Sequence, residues 1–252
     1  MPDGHSGQQI QTGHQMKKFL IGALCAATSI CASAADFFST EKCDELFTFG
    51  ARIGVNTSNR TIGDKAYPSC YHNESWGTGF DVGAVVSLNI RDYLSIKPGF
   101  FFESRSGGYT IMGTGEGSAL PTDGSEIAQT GKRRSYNFTI PVMAVFGFNV
   151  TDDVRWNVEA GPYVAFVLDS KLKNKRFVVN GTADEPLFSQ KAAGVDFGFK
   201  MGTAFEILDH YYIGAHYMAG CLPAWNDRKV GNITKTFGGV TKAWVFSIGY
   251  NF

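Results

Sequence analysis

The segment Trp244-Val-Phe-Ser-Ile-Gly-Tyr-Asn-Phe252 decides the fold of this chain. Large apolar side chains occupy every second position from Trp244 to Phe252, and small, mostly polar ones lie between them. Because the side chains of a β-strand point alternately to opposite faces, the segment forms a ribbon with one aromatic face and one small, mostly polar face. The alternation therefore predicts a β-strand whose two faces have very different surroundings.

A strand of this kind at the end of a chain resembles the closing strand of a bacterial outer-membrane β-barrel. In such barrels the barrel-assembly machinery reads a signal in the last strand during insertion. The final aromatic residue of this chain and the aromatic residue two positions before it resemble that signal. The resemblance implies that this machinery is a transient partner. It also implies an insertion signal made of Phe246, Ile248, Tyr250 and Phe252.

The N-terminal part of the chain indicates export. Residues 16–34 begin with Met-Lys-Lys, continue with a short apolar run and end in Ala-Ser-Ala, which is the pattern of a secretory signal peptide. Residues 1–15 are an upstream extension that we do not expect in the mature protein. Residues 35–44 form a periplasmic tether, and residues 45–252 form the barrel domain.

Period-2 apolar patterns recur through the mature chain and predict seven further strands. Each is long enough to cross a bilayer, since a tilted membrane strand needs ~9–11 residues. Together with the C-terminal segment they make eight. Their first apolar residues are Phe47, Phe80, Leu94, Tyr136, Trp156, Val195 and Tyr211.

The predicted connections alternate between short and long, as in outer-membrane barrels. The short turns are expected at Asn89–Tyr93, Thr151–Asp153 and Leu208–His210, and the long polar loops at 57–77, 106–133, 169–193 and 221–239. The predicted fold is all-β: an eight-stranded antiparallel up-and-down transmembrane β-barrel with short periplasmic turns and long extracellular loops. Three prolines lie inside predicted strands, and we expect local bulges or water-bound carbonyl groups beside Pro98, Pro141 and Pro162.

The faces opposite the apolar ones carry charged residues and many glycines, which suits the narrow lumen of an eight-stranded barrel. Charges buried there must be paired to be tolerated. We therefore expect a lumen plugged by side chains. The predicted charge network consists of Arg52, Asp81, Lys97, Glu103, Arg155, Glu159, Asp196, Lys200 and Glu206, with Arg105 and His216 on the same inward faces.

Two segments resemble the PorT-like outer-membrane β-barrel family, a group of small barrels of Gram-negative bacteria often labelled "porin family". They are Leu94–Phe102 and Tyr136–Val142, the latter followed by Val158–Tyr163. The resemblance covers roughly 45–252 and implies an outer-membrane location. Some members of that family are linked to protein secretion, but no site motif of theirs is matched here.

Other candidate sites are weaker. His216 would need a serine or carboxylate partner for catalysis, and no serine lies in register with it, so we expect a buried, paired histidine. Basic residues at the bases of two outer loops could meet the phosphates of lipopolysaccharide or simply be solvated. These are Lys132, Arg133, Arg134, Lys171, Lys173, Lys175 and Arg176.

Three cysteines remain after signal removal, in an oxidising compartment. Cys70 and Cys221 share the outer end of the predicted barrel, so we predict a disulfide between them and leave Cys43 free. The chain has 23 basic and 23 acidic residues, which argues against a nucleic-acid partner.

The sequence thus predicts a non-enzymatic outer-membrane protein without cofactor or metal, with a structural, surface-contact or assembly-accessory role. A narrow channel or transport barrel and a protein-secretion accessory are alternatives, and a lipid-modifying enzyme is the weakest one. Outer-membrane lipid and lipopolysaccharide are the expected surroundings, and a specific protein partner is unknown.

Overall fold

The computed structural model describes residues 45–63, 70–113, 127–178, 181–182, 191–226, 228–230, 233–235 and 238–252. The predicted extension 1–15, signal peptide 16–34 and tether 35–44 lie outside these ranges. Within them no helix is long and apolar enough to cross a membrane.

Eight strands follow one another along the chain and account for most of the described residues. We number them in chain order. They are β1 (Phe47–Arg60), β2 (Cys70–Arg91), β3 (Leu94–Gly113), β4 (Ile127–Thr151), β5 (Val154–Val178), β6 (Val195–Ile207), β7 (Tyr211–Gly220) and β8 (Thr241–Asn251). A two-residue strand, Gly181–Thr182, pairs with the end of β5, and Arg228–Val230 and Ile233–Lys235 form a small separate hairpin.

Each strand pairs antiparallel with its neighbours in the chain, and β8 pairs with β1 to close the ring. The closing register runs from Gly50 opposite Asn251 to Arg60 opposite Thr241. Phe252 continues this seam, because its backbone N–H donates to the Phe49 carbonyl at 2.7 Å. The predicted fold class, an eight-stranded up-and-down β-barrel, is confirmed.

The alternation of side chains gives the barrel an apolar outside and a polar inside. In β8, for example, Trp244, Phe246 and Ile248 point outward and are exposed, whereas Val245 and Ser247 are buried. Large apolar residues are exposed in this way on every one of the eight strands. A broad exposed apolar band is stable only against lipid, which is the reason the barrel crosses a membrane.

The wall of the barrel is uneven in height. The strands β2 to β5 contain 22, 20, 25 and 25 residues, whereas β6, β7, β8 and β1 contain 13, 10, 11 and 14. The long strands run well into segments that the sequence predicted as loops, so the predicted loop bounds 57–77, 106–133 and 169–193 are wrong. The alternation of apolar and polar residues stops where the outward face of a strand leaves the lipid, but the backbone ladder continues beyond that point.

The expected bulges beside the prolines are absent from the described ladders. The register between β3 and β4 is the same on both sides of Pro98, and that between β4 and β5 is the same on both sides of Pro141. Register shifts occur instead near Gly77, Asn89, Tyr136 and Asn149. All four lie near the ends of the apolar band, where the strands leave the membrane or turn.

Candidate functional site

A first group of buried charges surrounds Glu159 of β5 in the lumen. The Lys97 ammonium donates to Glu159 Oε1 at 3.0 Å, and the Tyr212 hydroxyl donates to Oε2 at 3.1 Å. His216 Nε2 lies 2.8 Å from the same Oε2. Alternation explains this meeting, because β3, β5 and β7 each point an inward position to the barrel axis at this level. The arrangement gives one buried carboxylate three polar partners.

The periplasmic side of this group opens into a vestibule of about 520 Å³. Lys97 reaches its edge, where it also forms an ion pair with Glu206 at 3.3 Å. Arg155 lies nearer the opening and pairs with Asp92 at 3.2 Å, with about a quarter of each side chain exposed. Arg155 and Glu206, both placed in the predicted network, therefore border water.

A second group of charges lies further toward the outer end, around Arg105 of β3. Its guanidinium contacts Glu103 Oε2 at 2.6 Å and Asp196 Oδ2 at 3.4 Å. The Thr139 hydroxyl donates to Glu103 at 3.0 Å, and the Tyr163 hydroxyl donates to Asp196 at 3.1 Å. All five side chains are buried. The lumen is thus crossed by ion pairs at two levels.

The remaining predicted lumen charges make no ion pair among the described residues. Arg52 packs 4.0 Å over the Tyr212 ring and donates to the Tyr250 carbonyl, and Lys200 lies 5.1 Å over the Phe101 ring. Neither carboxylate oxygen of Asp81 has a hydrogen-bond partner in the described part of the chain.

The space left between the two groups is very small. A void of about 20 Å³ is bordered by Lys97, Glu159, Lys200 and His216. A water molecule needs about 10–15 Å³ by this kind of measure, so the void holds about one water. Among the described residues no cluster of three or more His, Cys, Asp or Glu side chains could hold a metal ion.

The outer mouth is covered by Trp225, which belongs to the segment between β7 and β8. Its indole N–H donates to the Thr61 carbonyl at 2.7 Å, and its ring packs with Ile62, Tyr109 and Ile111. Tyr109 in turn lies directly over Gly131, where a Cβ atom would overlap the ring. A side chain at this position would displace the Tyr109 ring from the aromatic cluster.

Two arginines lie against the ring of Trp225. Arg60 ends β1 and Arg133 belongs to β4, and their guanidinium carbons lie 5.9 and 5.2 Å from the ring centre. The sequence placed Arg133 with Lys132 and Arg134 at the base of an outer loop. That grouping is wrong for Arg133, because β4 extends through this region and its alternation turns Arg133 inward while its two neighbours stay exposed.

The residues of the predicted insertion signal lie on the outward face of β8. Phe246, Ile248 and Phe252 are exposed, and Tyr250 is more than a third exposed. The Tyr250 ring lies 5.3 Å from that of Phe252 and 5.6 Å from that of Tyr211. These rings form an aromatic girdle at the short-turn end. Their role as a signal stays a prediction.

Cys221 is exposed and carries a free thiol in the structure. The side chain of Cys70 lies outside those the structure describes, so the predicted disulfide stays a prediction. Cys43 lies outside the described residues.

Sequence reasoning missed several inward-facing residues of the lumen. Tyr163, Tyr212 and Thr139 were not singled out, although they lie at inward positions of their strands and donate to carboxylates. Period 2 alone could have placed them in the lumen. Arg60 was missed because it falls in the predicted loop 57–77, beyond the last apolar position of β1.

Comparison with known proteins gives one family match. The family described as "Outer membrane protein beta-barrel domain" matches residues 36–220. No curated protein sequence matches the chain.

Several solved structures are similar to the barrel. Ail of Yersinia pestis, in complex with the heparin analogue sucrose octasulfate, has 15% identity and a TM-score of 0.38, and covers 82% of this chain and 100% of its own. Neisserial surface protein A has 13% identity and a TM-score of 0.37, and covers 81% and 95%. OprG of Pseudomonas aeruginosa has 10% identity and a TM-score of 0.34, and covers 85% and 97%. Similarities at this level say nothing about what this chain binds.

Proposed function

The chain belongs to the family of outer membrane protein β-barrel domains, and we propose that within this family it is a non-enzymatic structural and surface-contact protein. It acts through the wall that β2 to β5 raise above the membrane. Its finer resemblance to PorT-like barrels is part of this proposal and rests on the segments Leu94–Phe102 and Tyr136–Val142.

The observation that carries the proposal is the length of the long strands. A tilted strand crosses the hydrocarbon in ~9–11 residues, whereas β4 and β5 contain 25 residues each. The outward face of β5 changes from apolar to charged after Leu168, where Lys171 and Lys173 are exposed. The outer part of these strands therefore stands in the aqueous layer, where a partner can reach it.

The outward face of this wall carries a basic patch made of Lys132, Arg134, Lys171 and Lys173. In the β4–β5 ladder Lys132 lies opposite Lys173, and Arg134 lies opposite Lys171. Like charges in directly opposed positions destabilise a sheet, and the one described counter-charge is Asp169, 3.6 Å from Lys171.

A neighbouring anionic surface would relieve this repulsion. The patch lies just above the apolar band, at the level where basic residues meet anionic headgroups. We propose that it contacts the phosphate groups of lipopolysaccharide and fixes the height of the wall in the membrane.

The closed lumen supports a role outside the barrel rather than through it. The pairs Lys97–Glu159 and Arg105–Asp196 cross it at two levels. His216 is 2% exposed and held by Glu159, so a lipid substrate has no path to it. These contacts support a protein that is neither an open channel nor a lipid-modifying enzyme.

A narrow channel or carrier is the second candidate, and the periplasmic vestibule of about 520 Å³ favours it. Such a carrier would need the Lys97–Glu159 contact to open. A secretion accessory remains compatible with the wall as a docking surface for another protein.

The experiment that tests the main proposal compares two charge-reversal variants in cells. The double substitution Lys171→Glu and Lys173→Glu removes half of the basic patch, and Lys191→Glu changes an exposed lysine outside it. We expect the double variant to fold and insert but to copurify with several-fold less lipopolysaccharide, whereas Lys191→Glu retains the wild-type amount. If both variants retain the same amount of lipopolysaccharide, the contact between the basic patch and lipopolysaccharide is contradicted. Photo-crosslinkers placed at Thr130 and Asn73 would then identify any protein partner of the wall.

A further inference from the structure

The outer mouth contains two buried guanidinium groups that have no counter-charge among the described residues. Arg60 is 3% exposed and Arg133 is 4% exposed. They come from β1 and β4, which are not neighbours in the ring, and both lie against the Trp225 ring. Arg105, one level below, has two carboxylate partners instead.

The unpaired atoms of these arginines are well defined. Nε and Nη1 of Arg60, and Nε and Nη2 of Arg133, are buried without a hydrogen-bond partner. The Nε–Nη2 edge of an arginine is the one that holds an oxyanion with two parallel hydrogen bonds. Arg133 thus presents an unused bidentate edge inside the mouth.

The surroundings do not neutralise this charge. Asp196 is the acidic side chain whose field reaches both arginines. Its Oδ2 accepts from Arg105 at 3.4 Å and from Tyr163 at 3.1 Å, its Oδ1 has no hydrogen-bond partner in the described part of the chain, and it forms no ion pair there with Arg60 or Arg133. Trp225 offers its ring face to both guanidinium groups, and its N–H is directed to Thr61. A ring face attracts a cation but accepts no conventional hydrogen bond from these edges.

Buried charges without partners are costly, and two like charges together are more so. A single anion between them would accept the free N–H groups of both side chains at once. We propose that Arg60, Arg133 and Trp225 form a binding site for a tetrahedral oxyanion of the phosphate or sulfate class at the outer mouth of the barrel. Arg133 holds the anion side-on, Arg60 approaches from the opposite wall, and Trp225 covers it.

The same chemistry is present in a free anion and in a lipid headgroup. Both arginines are buried inside the barrel wall and point away from the lipid-facing surface, so the site is separated from the lipid headgroups. This distinguishes it from the basic patch on the outward face, whose side chains point the other way.

The test uses the full-length mature barrel, folded in a phosphate-free detergent, and inorganic phosphate as the probe. The urea midpoint is measured while sodium phosphate replaces sodium chloride at constant ionic strength. An anion that binds the folded barrel raises the midpoint in a saturable way. We expect this in the wild type, its loss in Arg133→Gln, and its persistence in Arg134→Gln, which changes the outward neighbour.

Two further variants keep the test decisive if Arg133→Gln does not fold. Arg60→Gln removes the contribution of the opposite wall and should abolish the response as well. Arg133→Lys keeps the charge but loses the bidentate edge, and should weaken phosphate binding about tenfold, since one charge-assisted hydrogen bond contributes about that much.

Equilibrium dialysis with labelled phosphate gives the direct measurement. One phosphate per wild-type barrel and none in Arg60→Gln supports the site. A wild-type midpoint that does not change with phosphate, equal losses in Arg133→Gln and Arg134→Gln, or a response that occurs only in vesicles of anionic phospholipid would overturn it.

Discussion

At the scale of single residues, Glu159 is a buried carboxylate contacted by three polar side chains in the lumen. Lys97 of β3 and Tyr212 and His216 of β7 all contact its carboxylate. A neutral side chain of the same shape would keep the packing and lose the charge. The effect of that change therefore reports what the charge contributes.

We predict that Glu159→Gln destabilises the barrel by about 1–3 kcal/mol, because Lys97 loses one of its two carboxylate partners and keeps only Glu206. Reversible urea unfolding in detergent measures it. The matched control is Asp169→Asn, which breaks the exposed Lys171 pair, whose side chains are 74% and 50% exposed. An exposed pair contributes about 0–1 kcal/mol. If both variants lose the same free energy of unfolding, the buried charge of Glu159 contributes no more to stability than the exposed charge of Asp169.

The inward positions could be read from period 2, but the partners within the lumen could not. Arg133 shows why: its sequence neighbours are basic, and only the register of β4 reveals that it points inward while Lys132 and Arg134 do not. Similarly, the meeting of Lys97 and Glu159 depends on the stagger of strands that are 62 residues apart in the chain. Alternation determines the face of a residue, but not its height along the axis.

At the scale of elements, the contrast between lipid and lumen explains which parts of the strands were predictable. In β4 the segment from Phe138 to Phe148 alternates apolar and polar positions, and it was recognised as a strand. The segment from Ile127 to Ser135 is part of the same strand but has water outside it, so its outward positions are Thr130, Lys132 and Arg134. Without an apolar face it resembled a loop.

The C-terminal strand β8 is the element whose role in assembly can be separated from its role in stability. Deleting Phe252 removes one exposed aromatic residue and one backbone hydrogen bond, to Phe49. We predict that the deletion slows assembly in cells severely and leaves refolding into detergent nearly normal, because one aromatic side chain contributes only a few kcal/mol at most. Pulse-labelling in cells and refolding in vitro measure the two effects. Equal losses of assembly and of refolding would mean that Phe252 has only a structural role. Removal of the exposed Leu222 is the control for the loss of an apolar side chain.

The outer segments between strands give a further prediction. Cys70 begins β2 and Cys221 follows β7, and we expect these two to form a disulfide in the exported protein. Such a bridge would contribute about 2–4 kcal/mol by restricting the unfolded chain. Peptide mapping without reductant identifies it, and a bridge that contains Cys43 would contradict the pairing.

At the scale of the whole molecule, the closed ladder and the two levels of ion pairs predict how the barrel behaves. Every strand has two partners, so no edge is left in the lipid. We predict that unboiled and boiled samples migrate differently on a detergent gel, because unfolding is slow below denaturing temperatures. Identical migration would contradict a closed barrel.

The ion pairs also predict the electrical behaviour of the molecule. The wild-type barrel should show no stable conductance in planar bilayers, since the void beside Glu159 has room for about one water. A double variant, Lys97→Ala with Glu159→Ala, removes the lower level of ion pairs but leaves Arg105 in place, and should remain closed. A large, steady wild-type current would favour the channel reading instead.

The unequal strand lengths also determine which strands separate first when the barrel is pulled apart by force. The ladders that hold β7 and β8 are the shortest, because these strands contain 10 and 11 residues, whereas β4 and β5 contain 25 each. A pulling force on Phe252 from the periplasm acts first on these short ladders, and each hydrogen-bonded rung that yields shifts the load to the next. We expect the β7–β8 and β8–β1 ladders to separate first. The strands β2 to β5 should remain paired as one sheet until last.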